Sequence, residues 1–110
     1  MKKTILFFIA IIFSACSVKL IAPTESDVAR VISKYPNYSL AQLQQGKSDY
    51  EKYCTQCHGL KRPSSKTEEK WNKIVPWMCK KNNEKPNLHH ISDETQASIL
   101  KYVITMSSAK

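Results

Sequence analysis

At 110 residues, with 17 basic and 9 acidic side chains and a formal charge of +8, the chain is one small domain plus whatever is cleaved from it. A core that small is marginal without a staple, which excludes a multidomain enzyme and favours a chain folded around something else. The basic balance suits acidic partner proteins or an anionic surface. Nucleic acid is discounted, because the chain reads as exported and no helix carries a basic face.

Residues 1–15 read as a lipoprotein signal peptide. Lys2 and Lys3 form its charged start, and Ile5 to Phe13 form an apolar run too short to span a bilayer comfortably. Its end, Phe13-Ser14-Ala15-Cys16, resembles a bacterial lipobox, with Phe13 where Leu is usual. Cys16 is then the lipidated residue, and the more ordinary alternative is a cleaved signal with an incidental cysteine. A two- or three-chain anchor gives firm membrane attachment, where one chain gives only marginal binding. Ser17 in place of Asp resembles the pattern that sends a lipoprotein on to the outer membrane. The expected location is therefore the periplasmic side of a bacterial cell envelope, lipid-anchored. Removing Lys2 and Lys3 with the signal leaves a net charge of +6.

Residues 16–37 read as a lipid-anchored tether and lead-in. Pro23-Thr24-Glu25 breaks regular structure, and Asp27 to Lys34 fits a short helix with Val28, Val31 and Ile32 on one face. Pro36 and Asn37 mark a turn. Ser39 is the expected N-cap of the first long helix. Leu40, Leu43, Tyr50, Tyr53, Cys54 and Cys57 recur on it at three- and four-residue steps. Gly46 inside that stripe allows a second helix to come close, and Gly59 is a natural stop.

Thr67 caps a second helix, with Glu68 and Glu69 in its first turn. Trp71, Ile74, Val75 and Met78 share its apolar face. Pro76 is expected to kink or end it near Val75, with Met78 just beyond. Asn82 to His90 reads as loop. Ser92 caps the last helix, whose expected core face is Ala97, Leu100, Val103 and Ile104, flanked by Ile99 and Tyr102. The fold class is all-α, with three main helices and no internal repeat.

Cys54-Thr55-Gln56-Cys57-His58 carries the chemistry. A C-x-x-C-H run is the attachment signature of a c-type haem. Two thiols three positions apart can each add to one vinyl group, and the histidine that follows can give the iron a nitrogen. Cys54 and Cys57 are thus read as thioether anchors and His58 as the proximal iron ligand of one covalent haem c. Three plainer readings compete. A redox C-x-x-C goes with a βαβ pattern, which is missing here. A zinc site needs a second ligand pair at usable spacing, and His89-His90 are adjacent. A disulfide between Cys54 and Cys57 leaves His58 without a role. Cys79, left over, reads as a buried thiol ahead of an intermolecular bridge.

With these residues in view, the chain resembles a small monohaem class I cytochrome c from about Tyr38 to the C-terminus. The resemblance is carried by Tyr50-x-x-Tyr53-Cys54-x-x-Cys57-His58-Gly59-Leu60, by Trp71-x-x-x-Val75-x-x-Met78, and by Ile99-Leu100-x-Tyr102-Val103. It implies residues 38–110 as a cytochrome c-like domain, helices wrapped around the haem with the first and last crossing. It implies one-electron transfer without bond chemistry on a substrate, and redox partner proteins with acidic docking surfaces. It further implies Met78 as the distal iron ligand, ahead of Met106, His89 and His90, and puts Trp71 and Trp77 near the porphyrin. The competing function is a haem protein that binds a small ligand or peroxide through an open sixth position. A cytochrome subunit of a larger oxidoreductase is a further alternative, and a non-haem metal-binding lipoprotein is the weakest.

Overall fold

The computed structural model describes residues 19–56 and 59–109. Cys16, Cys57 and His58 lie outside them, as does the signal segment. Among the described residues the chain is all-helical: α1 (Glu25–Val31), α2 (Leu40–Cys54), α3 (Glu68–Asn83) and α4 (Asp93–Ser107), with a 3-10 turn at Pro63–Ser65 and no strand. None of these helices is long and apolar enough to cross a membrane.

The three long helices begin where a side-chain oxygen can take a free backbone N–H. Ser39 accepts from Gln42, Thr67 from Lys70 and Ser92 from Thr95. Gln42 returns the bond to the Ser39 N–H at 2.9 Å, completing a capping box.

α4 is the central element. It packs most extensively on α2, then on α3, the 3-10 turn and α1. Its crossing with α2 is close because Gly46 has no side chain. A Cβ there would lie 2.7 Å from both the Ser98 carbonyl oxygen and Tyr102 Cβ. Around the crossing Leu43, Ile99, Tyr102, Val103 and Thr105 are all fully buried. The core face of α4 differs from the expected one: Ala97 is exposed, and Ile99, Tyr102 and Met106 join Val103 and Ile104 inside. A helix touching four neighbours buries a wide arc, which one narrow stripe does not represent.

The lead-in does more than tether. Val28 and Val31 are buried, while Ile32 is turned outward. Arg30 straps α1 to the end of α4, donating to the Thr105 carbonyl at 2.8 Å and to the Ser108 hydroxyl at 3.0 Å. Its third contact is an ion pair with Asp27 at 2.9 Å. Burial opposes ionisation of Asp27. Bonds from the Thr24 N–H and hydroxyl, together with Arg30, outweigh that and hold the carboxyl below its ordinary value.

α3 continues through Pro76 to Asn83 rather than ending near Val75. The bond Pro76 cannot make is the one to Asn72, and both residues are on the exposed face, where water serves the freed carbonyl. Buried Val75 and Cys79 on the inner face hold the helix on either side of the break. Met78, Cys79 and Asn82 are therefore helical, in register with Trp71 and Val75, and the loop expected from Asn82 starts only at Glu84.

Candidate functional site

Where α2 and α4 cross, side chains meet directly. Where α3 faces the end of α2 they meet only in part, and a largely apolar cavity of about 710 Å³ opens between them. That is within the roughly 300–1,000 Å³ of ligand and cofactor sites. Tyr50, Tyr53 and Cys54 line it from the last turns of α2. Trp71, Val75, Met78 and Cys79 line it from α3, Leu60 and Ile91 from the two loops, and Ile99 from α4.

The walls are fixed by hydrogen bonds at their edges. The Trp71 indole N–H donates to the Pro63 carbonyl at 2.8 Å, tying the loop after α2 to α3. The Tyr50 hydroxyl donates to the Lys61 carbonyl in the same loop. Its ring stands edge-on to Trp71, centroids 6.2 Å apart. Burial, and secondarily the Cys54 thiol, push the Tyr50 phenol up to about 12, so it remains a neutral donor. Burial also pushes the Cys79 thiol up, keeping it a protonated apolar wall group rather than a thiolate. Lys61, Lys66, Lys81 and Lys85 ring the opening, together with Trp77, which is 61% exposed.

The residues singled out from sequence separate on this geometry. Cys54 and Met78 line the same cavity, from different helices. Met106 is buried on α4 and lines a different, smaller cavity beside Lys19–Ile21. His89 and His90 are exposed and not part of the lining. Among the described residues no group of three or more His, Cys, Asp or Glu side chains is arranged to hold a metal ion.

Sequence reasoning passed over a set of amides beside the cavity. Gln56 Oε1 accepts from the His89 N–H at 2.9 Å, and its Nε2 donates to Asn82 Oδ1 at 2.9 Å and the His89 carbonyl at 3.3 Å. Asn83 forms the same two-pronged pair with Ile91, at 2.8 and 2.9 Å. The available signal was the Asn82-Asn83 pair at a helix end, where short amides bond nearby backbone. No protein-family model, curated protein or solved structure matches the chain.

Proposed function

We propose that this chain is a membrane-tethered, periplasmic electron carrier of the monohaem cytochrome c type, lipid-anchored through Cys16. The observation that supports it most is the shared cavity. It is apolar and of cofactor size, it takes in Cys54 from the C-x-x-C-H run, and of the four distal-ligand candidates it takes in Met78 alone. Cys54 and Cys57 would hold a covalent haem through two thioethers, and His58 and Met78 would ligate its iron.

When bound, the haem supplies one-electron exchange between ferric and ferrous iron. The chain's own groups do the rest. Trp71, Val75, Leu60 and Ile99 present apolar surface to the cavity, which would keep water from a bound haem and so favour the less charged iron state. The neutral Tyr50 phenol and Cys79 thiol add no charge to the wall. Lys61, Lys66, Lys81 and Lys85 offer ammonium groups at the opening, to the haem propionates and to carboxylates of a docking partner. The rate of reaction with an acidic partner should fall as ionic strength rises.

The test is the optical spectrum of the full chain matured in a host with c-type haem assembly, with and without carbon monoxide. A ferric far-red sulfur–iron band, absent in Met78→Ala, with no carbon monoxide shift in the wild type, is the expected result. A high-spin ferric spectrum that shifts with carbon monoxide would replace the carrier by a ligand-binding or peroxidase-type protein. A chain that does not stain for haem on a denaturing gel would overturn both.

A further inference from the structure

We infer that Gln56 is a positioning residue, which holds the end of α2, where Cys54 lies, at a fixed spacing from the helix that bears Met78; the inference rests on the haem reading above. The two positions between the attachment cysteines have no part in thioether chemistry. The two residues that fill them here behave differently. Thr55 is occupied locally, its hydroxyl donating to the Glu51 carbonyl at 2.7 Å as α2 ends. Gln56 reaches instead across 26 and 33 positions of sequence, to Asn82 and to the backbone of His89.

Its partner Asn82 is 2% exposed and stands one helical turn beyond Met78, on the same side of α3. All of the Asn82 amide is committed. Oδ1 accepts from Gln56, and Nδ2 donates to the His89 carbonyl at 2.8 Å and to Asn83 Oδ1 at 3.2 Å. Asn83 in turn holds Ile91, which lines the cavity. One carboxamide thus joins three walls: the run that begins at Cys54, the α3 turn after Met78, and the loop ending at Ile91. Cutting it leaves a buried Asn82 oxygen without its donor and frees the end of α2 to move relative to Met78. With a haem bound, Met78 would have to outcompete external ligands for the iron, and that competition would depend on this spacing.

The experiment uses the full chain matured with haem, as wild type, Gln56→Ala, Gln56→Glu and Thr55→Ala. The ferrous affinity for carbon monoxide is the first readout. Backbone hydrogen exchange at His89 in the same haem-loaded chain is the second. One buried hydrogen bond lost corresponds to about a tenfold change. Gln56→Ala should therefore raise carbon monoxide affinity about tenfold and speed His89 exchange by a similar factor. Gln56→Glu keeps an acceptor for the His89 N–H but has no amide to donate to Asn82. It should keep His89 protected while still raising carbon monoxide affinity. Thr55→Ala should lower the melting temperature and change neither readout. A haem-loaded Gln56→Ala protein, or the Glu variant should the first not fold, with wild-type carbon monoxide affinity would overturn the positioning role and leave the electron-carrier reading standing. The same rise in Thr55→Ala would reduce Gln56 to ordinary stability. A wild-type chain without covalent haem would overturn the proposed function, and this inference with it.

Discussion

The two sides of α4 are built on different terms. Toward α2 it makes a closed interface: Gly46 lets the backbones nearly touch, and Leu43, Ile99 and Val103 are wholly buried. Toward α3 the same helix also packs, but there Ile99 reaches a cavity of about 710 Å³, whose walls are tied at their edges by Trp71, Tyr50 and the amide set. A small domain gains little enough from its core. With part of its helix surface facing the cavity, this one relies the more on the closed side for its packing.

The largest expected difference lies between a residue of each side. Leu43→Ala removes a fully buried side chain from the closed interface and should cost roughly 2–5 kcal/mol in urea unfolding, with haem or without. Met78, half-buried on the cavity wall, should cost less than about 1 kcal/mol as Met78→Ala in the haem-free chain. Equal losses in the haem-free protein would mean that the cavity side is as well packed as the other, and the contrast would go. Next in size is Gly46→Ala. The added methyl meets backbone at Ser98, which cannot swing away, so roughly 1–3 kcal/mol should be lost by overpacking.

Sequence was a good guide to the closed side and a partial one to the open side, for reasons visible in single residues. Ser39, Thr67 and Ser92 mark helix starts because capping is local chemistry, complete within three residues. Gly46 was readable because a glycine inside an apolar stripe has few other uses. Pro76 misled because the rule against proline assumes that the lost bond matters. On the solvent face of α3 it matters little, and burial of Val75 and Cys79 decides. On the open side the cysteine spacing stood out, yet four residues competed as distal ligand. Only tertiary structure shows that Met78, and not Met106 or the exposed histidines, lines the same cavity as Cys54. The Gln56–Asn82–His89 set had no period and no motif, since amides bond whatever the fold brings near.

A pH titration sharpens the contrast at the far end of α4. Asp27 is held below its ordinary value in the fold, so it contributes stability that is fully present above the unfolded carboxylate value near ~3.9. That contribution is lost as pH falls through the folded value. The stability gap between wild type and Asp27→Asn should be widest at neutral pH and should close in acid. A gap that stays constant with pH would show that the Asp27–Arg30 strap acts through shape alone.

The smallest effects come from two phenols, one beside each region. Tyr50, in the cavity wall, donates its hydroxyl to the Lys61 carbonyl. Tyr50→Phe leaves that carbonyl without its donor, but Lys61 is exposed and water replaces the bond in part, so about 0.5–1 kcal/mol should be lost. Tyr38 packs edge-on to Tyr35 in the closed region, centroids 5.6 Å apart, and its buried hydroxyl has no hydrogen-bond partner among the described residues. Tyr38→Phe removes a group that lost water and gained nothing, so stability should hold or rise by up to about 1 kcal/mol. Opposite signs for two identical substitutions would separate a phenol that holds a wall open from one that only fills space. If Tyr38→Phe is instead the more damaging, the closed region relies on a polar contact of Tyr38, and its stability cannot be put down to packing alone.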